Sequence, residues 1–104
     1  MLKSNPLLSL VVPLYNEEEN VSILCEKVDR ALTNYKYELI LIDDCSIDNT
    51  KENIKSLKNP NVTLIELKKN YGQSLAMSAG FDFANGDYII TLDGDLQNLS
   101  LIHI

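Results

Sequence analysis

The sequence predicts an α/β fold in which a mostly parallel sheet of four strands is covered by helices. Four apolar runs of strand length alternate with segments whose apolar residues recur at helical spacing. Turn-forming or capping residues separate these segments. Strands that alternate with helices form right-handed βαβ units, and such units build a parallel sheet. With 104 residues, the chain has room for one domain of this kind.

The first strand and helix follow from two patterns. Residues 8–12 are almost continuously apolar, which is typical of a strand buried on both faces, and Pro13 is expected to end the strand. Asn16 is the predicted N-cap of the first helix, with Glu19 in the capping-box position three residues later. The apolar residues that follow lie on one helix face: Val21, Leu24, Cys25, Val28 and Leu32.

The second strand and helix are predicted in the same way. Residues 37–42 form an apolar run that leads directly to Asp43 and Asp44. Ser46 or Asp48 is predicted to cap the second helix, because both side chains accept backbone N–H groups well.

The last elements complete the alternation. Residues 62–67 are the third predicted strand, and residues 73–84 are the third predicted helix, which is rich in Ala and Ser. Asn85-Gly86 is expected to end that helix, because both residues adopt the left-handed conformation readily. The fourth strand, residues 88–92, leads to Asp93-Gly94-Asp95.

The charge balance excludes two classes of function. Nine Lys and Arg against 15 Asp and Glu give a formal net charge of −6. Nucleic-acid binding and binding to anionic lipid through a polybasic patch both need a basic surface, so neither is expected. An acidic protein still binds a phosphorylated ligand where a metal ion bridges carboxylates to phosphate.

The two cysteines, Cys25 and Cys45, indicate the redox compartment. No secretory signal is visible in the sequence, and two isolated cysteines in such a chain are typical of reduced thiols. No apolar stretch approaches the roughly 18 residues that a membrane span needs. We therefore expect a cytoplasmic protein.

The candidate chemistry lies at the strand ends. In an open parallel sheet, ligands bind beyond the carboxyl ends of the strands. Three of the four predicted ends are acidic or polar, namely residues 13–17, 43–46 and 93–97. Because all three fall at one edge of the predicted sheet, they favour a shared site over three unrelated turns.

Asp93-Gly94-Asp95 is a candidate metal site. Two carboxylates one residue apart reach a single hard cation if the loop turns sharply, and Gly94 permits that turn. Mg²⁺ or Mn²⁺ would take these carboxylates and keep positions for phosphate oxygens, and Gln97 would add a carbonyl oxygen. The alternative is a solvated turn after a buried strand.

The other two ends offer acceptors for an organic ligand. Asp43 and Asp44 would accept N–H or O–H groups of a base or ribose, and the alternative for them is a helix-capping loop. Glu17 either accepts a hydrogen bond from the ligand or complements the helix dipole. Tyr15 either walls a base or only packs against the sheet.

Four segments resemble the family 2 glycosyltransferases, and within them most closely the dolichyl- and polyprenyl-phosphate sugar synthases, including bactoprenol glucosyltransferases. They are VVPLYNEEEN (11–20), IDDCSIDNT (42–50), NYGQ (70–73) and DGDLQ (93–97). The similarity runs from about Leu8 to Gln97. It implies a GT-A fold, a three-layer αβα arrangement whose Rossmann-like sheet has the strand order 3-2-1-4. It also implies inverting transfer of a sugar from a UDP- or GDP-linked donor to a polyprenyl or dolichyl phosphate.

The resemblance assigns roles to particular residues. The nucleotide-binding residues would be Pro13, Tyr15, Asn16, Glu17, Asp43, Asp44 and Asp93. The metal ligands for Mg²⁺ or Mn²⁺ would be Asp93, Asp95 and Gln97. Family members usually carry Gly in place of Cys45 and Arg in place of Lys69. After Gln97 they usually continue with Asp-Pro-Pro, where this chain has Asn98-Leu99-Ser100.

The resemblance also implies a place within a longer enzyme. Family enzymes are much longer than this chain, so residues 1–104 are expected to be a single donor-binding domain that is inactive or nearly so alone. The lipid-phosphate acceptor, the catalytic base and a position at the cytoplasmic face of the membrane, in cell-envelope synthesis, belong to the full-length enzyme.

Two other classes of function stay open from the residues alone. One is a non-catalytic α/β interaction module that self-associates through exposed apolar surface. The other is a phospho-acceptor receiver domain, which has a similar length and acidic strand ends. A receiver would carry its acid pair after the first strand, whereas Asp43 and Asp44 follow the second.

Overall fold

The computed structural model describes residues 6–92, which form the predicted alternation of strands and helices. The elements in chain order are β1 (Leu7–Leu14), α1 (Val21–Ala31), β2 (Lys36–Asp43), α2 (Thr50–Ser56), β3 (Val62–Glu66), α3 (Gln73–Phe83) and β4 (Tyr88–Thr91). The four strands form one sheet in the order β3-β2-β1-β4, with every neighbouring pair parallel. This confirms the predicted fold class and the strand order 3-2-1-4.

Helices cover both faces of the sheet because the central strands are apolar on both. On one face, alternate residues of β1 such as Leu10 and Val12 pack with Leu24 and Val28 of α1 and Ile54 of α2. On the other face, residues of opposite parity pack against α3, and they form a small cluster of Val11, Ile40, Ile42 and Ala76. The strand periodicity of two thus produces the three αβα layers.

Helix α3 lies unusually close to the sheet. A Cβ placed on Gly80 would lie 2.3 Å from Val11 Cγ1 and 2.8 Å from Ile42 Cδ1. Both of those side chains are buried in the sheet. Gly80 therefore allows an approach that no other residue would permit without a shift of the helix.

Pro13 lies within β1 instead of ending it, so this prediction was wrong. It pairs with Ile42 in the parallel register, and the strand continues to Leu14. The Leu14 carbonyl accepts the Asp44 N–H from the β2 side, so the neighbouring Pro13 faces the β4 side. Pairing with β4 ends at Val11, so at Pro13 no ladder bond between the described strands is lost for want of an N–H.

The start of α1 also differs from the prediction. The helix begins at Val21 with Asn20 as its N-cap, and Asn20 makes no side-chain capping bond. Asn16 has a positive φ of 54°, and its side chain accepts the N–H of Ile47, so it does not cap the helix with Glu19. Glu17 consequently lies in the loop before α1 and not in its first turn.

Helix α2 is capped differently as well. Its N-cap is Asn49, which makes no side-chain capping bond. Asp48 accepts the N–H of Thr50 at 2.9 Å, so one of the two predicted caps does bind the first helical residue. Ser46 instead accepts the N–H of Asn16 and takes no part in capping.

Candidate functional site

Two loops at the carboxyl edge of the sheet are joined through Asn16. The β1–α1 loop covers residues 15–20 and the β2–α2 loop covers residues 44–49. The Asn16 N–H donates to Ser46 Oγ at 2.9 Å, and Asn16 Oδ1 accepts the Ile47 N–H at 2.9 Å. The left-handed backbone of Asn16 turns both groups toward the second loop, and asparagine tolerates this conformation well. The two loops therefore form one unit.

Thr50 forms a second junction between the same loops. Its Oγ1 accepts the Glu17 N–H at 2.8 Å and donates to Asp48 Oδ1 at 2.5 Å. Asp48 Oδ2 accepts the Glu18 N–H at 3.3 Å. The side chain of Thr50 is fully buried, so these bonds are shielded from water. The backbone of Glu17 and Glu18 is thereby fixed to the start of α2.

The pKa of Asp48 lies below its ordinary value. Partial burial alone would raise the pKa, but hydrogen bonds from the Thr50 side chain, the Thr50 N–H and the Glu18 N–H stabilise the carboxylate and outweigh that effect. A carboxyl whose pKa is lowered by folding stabilises the protein above its unfolded pKa. That contribution is lost as the pH falls through the folded pKa.

Replacement of Thr50 by valine is expected to destabilise the protein by about 1–3 kcal/mol at pH 7. Valine has the same shape but leaves the Glu17 N–H facing a methyl group, and it removes one donor to Asp48. The difference in unfolding free energy between this variant and wild type should become smaller below about pH 4, because Asp48 is then losing its charge in both proteins.

Urea unfolding followed by circular dichroism at pH 7 and at pH 3 measures both effects. Thr63→Val is the matched control, because Thr63 is exposed on β3. Equal stability of Thr50→Val and Thr63→Val at pH 7 would show that the junction contributes nothing.

A cleft of about 210 Å³ opens between the joined loops. Its walls are polar and mostly acidic, and they come from Asn16, Glu17, Glu18, Glu19, Asn20 and Asp48. Glu17 Oε2 accepts a hydrogen bond from Asn20 Nδ2 at 2.7 Å, which orients the carboxylate within the cleft wall. Tyr15 comes just before the cleft residues in the sequence and is 45% exposed, so its ring is available to a ligand.

Asp43 ends β2 and Asp44 follows it, and the structure gives the two carboxylates different surroundings. Both are buried, with 3% and 4% of their surface exposed. Asp43 pairs with Leu14 in the sheet register, and its Oδ1 accepts the Ser46 N–H at 3.3 Å. Asp44 Oδ1 and Oδ2 accept the N–H groups of Tyr71 and Gly72. The structure thus brings Asn16, Glu17 and Asp43 together, and it ties Asp44 to a third loop.

The cysteines fit the structure in two different ways. Cys25 is buried in α1, and burial raises the pKa of its thiol to about 11, so it stays protonated at neutral pH. Cys45 has a φ of 59°, in the left-handed region that favours glycine. A cysteine therefore occupies a backbone conformation that L side chains seldom adopt.

The predicted metal ligands Asp93, Asp95 and Gln97 lie outside the described residues. Within residues 6–92, no group of three or more His, Cys, Asp or Glu side chains is arranged to hold a metal ion. The Leu92 N–H donates to the Val11 carbonyl at 3.2 Å, so the chain leaves β4 at the same edge as the cleft. All three predicted ligands would offer oxygen, which fits Mg²⁺ or Mn²⁺.

Sequence reasoning missed several residues that shape this site. Thr50, Ser46 and Asp48 connect the loops. In the sequence, Ser46 and Asp48 looked only like helix-capping residues, and Thr50 showed no special signal. The signal that would have indicated their role is the parallel pairing of β1 with β2, which places the two loops side by side. None of the helices within residues 6–92 has the length and apolar character that a membrane span needs.

Comparison with known proteins gives one family and consistent relatives. The family model "Glycosyl transferase family 2" matches residues 9–100. The chain is 47% identical over 96 residues to the dodecaprenyl-phosphate galacturonate synthase of Rhizobium johnstonii, covering 88% of this chain and 28% of that protein. It is 45% identical over 95 residues to the undecaprenyl-phosphate 4-deoxy-4-formamido-L-arabinose transferase of Yersinia enterocolitica, covering 86% and 29%. The chain spans less than a third of the length of these relatives.

Solved structures share the same fold. A mannosyltransferase from Pyrobaculum calidifontis in complex with GDP-Man and Mn²⁺ superposes with a TM-score of 0.79 at 23% identity, over 88% of this chain and 28% of that one. At this identity the likeness shows the fold alone. TarS of S. aureus in complex with UDP superposes with a TM-score of 0.74 at 26% identity, over 85% and 27%.

Proposed function

Because this chain belongs to glycosyl transferase family 2, we propose that it binds a nucleotide-diphosphate sugar and forms the donor-binding part of a sugar transferase. The acceptor would be a polyprenyl phosphate, because the names of the two curated relatives contain dodecaprenyl phosphate and undecaprenyl phosphate. The full-length enzyme would act at the cytoplasmic face of a membrane. We expect the 104-residue chain alone to bind the donor weakly and to have little or no transferase activity.

One observation carries this proposal. Bonds through Asn16 and Thr50 join the loops after β1 and β2, and an acidic cleft lies along them. Ser46, which accepts the Asn16 N–H, also donates its own N–H to the buried carboxylate of Asp43. Ligands of parallel α/β sheets bind at this edge. The related TarS structure, which holds UDP, has the same fold.

The residues of the site would have different roles in binding the nucleotide. Tyr15 and Pro13 would pack against the nucleotide. Asn16 and Glu17, which line the cleft, would form hydrogen bonds with it. Asp43 would accept an N–H of the base or an O–H of the ribose, and its burial makes such a donor favourable to it. In the transfer, the bond from the anomeric carbon to the diphosphate oxygen breaks, and a bond from that carbon to the acceptor phosphate oxygen forms with inversion.

Asp93, Asp95 and Gln97 would hold Mg²⁺ or Mn²⁺ next to the diphosphate. The bound metal would neutralise the negative charge that develops on the leaving nucleotide diphosphate. The acidic walls of the cleft make such a cation more important, because Glu17, Glu18 and Asp48 would otherwise repel phosphate oxygens.

Isothermal titration calorimetry with UDP and with GDP tests this function. We expect one of the two to bind with measurable heat in the presence of Mn²⁺, and to bind at least about tenfold more weakly with EDTA, a difference of about 1.4 kcal/mol. Absence of binding by both nucleotides with Mn²⁺ would contradict the proposal.

Light scattering of the same samples distinguishes the donor-binding domain from the alternative, a non-catalytic interaction module. An interaction module would associate as the protein concentration rises, whether or not nucleotide is present. Association of that kind together with no nucleotide binding would favour the interaction module over the donor-binding domain.

A further inference from the structure

The loop between β3 and α3, residues 67–72, is attached to the end of β2, and at its α3 end one side chain accepts both bonds. Asp44 Oδ1 accepts the Tyr71 N–H at 2.8 Å, and Asp44 Oδ2 accepts the Gly72 N–H at 2.9 Å. A carboxylate that accepts two adjacent backbone N–H groups makes charge-assisted bonds, which are stronger than neutral ones. Only 4% of Asp44 is exposed, so little water competes for these bonds.

The backbone of Asp44 is fixed as firmly as its side chain. Its own N–H donates to the Leu14 carbonyl at 2.9 Å, so Asp44 is tied to the end of β1. The Leu67 N–H donates to the neighbouring Asp43 carbonyl at 3.0 Å, at the other end of the same loop. Asp44 therefore links β1, which leads into the cleft, to the loop that leads into α3.

The loop that Asp44 holds carries the cationic groups of this edge. Lys68 and Lys69 are both exposed, whereas the loops after β1 and β2 are polar or acidic. Gly72 turns the chain into α3 with a φ of 90°, which an L side chain rarely adopts. The Lys68 carbonyl accepts a hydrogen bond from Cys45 Sγ at 3.5 Å. On the α3 side, the path of the loop past Lys69 depends on Gly72 and on the bonds that Asp44 accepts.

We propose that Asp44 is a positioning residue that acts on the nucleotide through this loop. It would hold Lys68 and Lys69 beside the base or ribose that Asp43 contacts, because β3 is the neighbour of β2 whereas the diphosphate would lie near β4. Lysine N–H groups can donate to oxygens of the base or of the ribose. Both oxygens of Asp44 are already engaged by N–H groups, which favours this role over direct contact. The inference rests on the proposed function, since it assumes a nucleotide diphosphate in the cleft.

Hydrogen exchange of individual amides tests the structural half without any nucleotide. We expect Asp44→Asn to speed exchange at Tyr71 and Gly72 at least about tenfold, because an amide oxygen cannot replace both carboxylate oxygens. Asp43→Asn is the matched control and should leave those two amides unchanged. Unchanged exchange in Asp44→Asn would overturn the proposal, and unchanged amides in the core strand β1 would show that the variant is folded.

A double-mutant cycle with Lys69→Ala tests the functional half. UDP and GDP are titrated with Mn²⁺ into wild type, Asp44→Asn, Lys69→Ala and the double variant. We expect Asp44→Asn to weaken binding about tenfold alone, and less than twofold when Lys69 is already alanine. A loss of the same size in both backgrounds would indicate direct contact of Asp44 with the nucleotide, and no loss in either would show that the loop is irrelevant to binding. Both results would overturn the proposal.

Gly72→Ala keeps the test decisive if Asp44→Asn fails to fold. No atom lies within 4 Å of the Cβ that it adds, so the change strains the loop backbone without crowding the core. We expect it to weaken binding in the same Lys69-dependent way, and unchanged binding would count against the proposal. If wild type binds neither nucleotide, the proposed function fails, while the exchange rates still decide whether Asp44 holds the loop.

Discussion

Gly80→Ala is expected to destabilise this protein by about 2 kcal/mol, although alanine normally favours a helix. The added methyl group would lie 2.3 Å from Val11 Cγ1 and 2.8 Å from Ile42 Cδ1, which is closer than non-bonded carbon atoms approach one another. Overfilling a packed core costs about 1–3 kcal/mol, and contacts this short place Gly80→Ala at the upper end, about 3 kcal/mol. Subtracting the gain of about 1 kcal/mol in helix propensity leaves a loss of about 2 kcal/mol. Relief would require α3 to move away from the sheet or both side chains to leave their rotamers.

Chemical denaturation of four variants measures this effect. Ser78→Ala is the matched control, because Ser78 is exposed on the same helix and should change stability little. Val11→Ala removes the nearest methyl groups, so the double variant Val11→Ala/Gly80→Ala should lose less than the sum of the single losses. A Gly80→Ala protein as stable as Ser78→Ala would contradict the close packing of α3.

Asp95→Ala is expected to abolish the effect of metal on nucleotide binding. In wild type, Mn²⁺ should strengthen binding at least about tenfold, or about 1.4 kcal/mol. Removal of one of two carboxylates leaves too few charged oxygens to hold the cation against the diphosphate. The described part of the chain supports a metal site at this edge of the sheet. The Leu92 N–H donates to the Val11 carbonyl, so β4 ends at the edge where the cleft opens.

Calorimetry with UDP or GDP distinguishes a metal ligand from a general structural residue. The affinities of Asp95→Ala with Mn²⁺ and with EDTA should be equal, and both should match wild type with EDTA. Asn98→Ala is the control, since Asn98 lies in the same segment but is not a predicted ligand. If Mn²⁺ still strengthens binding by Asp95→Ala as it does in wild type, the metal lies elsewhere.

Local patterns in the sequence predicted the larger part of the fold. The continuous apolar runs gave β1 and β2 because both faces of these strands are buried, and the helical spacing of Val21, Leu24 and Val28 gave the buried face of α1. Each of these patterns repeats over several residues, so the errors at single positions did not alter the element. Resemblance to the family then gave the strand order, which the structure confirms.

Single residues in the loops were predicted less well. Asn16 looked like a helix cap, but its side chain accepts a hydrogen bond from Ile47, thirty-one residues away in sequence. Thr50 showed no special signal, yet it is buried and joins the two loops. Polar side chains of this kind have several satisfactory partners nearby, and local sequence does not decide among them.

The sequence by itself determined the alternation of elements, the buried faces and the presence of acidic groups at the strand ends. These depend on periodicity and chain order, which are local properties. Only the tertiary structure decided that Asn16 and Thr50 join the first two loops, that α3 approaches the sheet at Gly80, and that Asp44 holds the loop at Tyr71 and Gly72. Those contacts join residues distant in sequence, and they exist because parallel pairing of the strands brings their carboxyl ends to one edge.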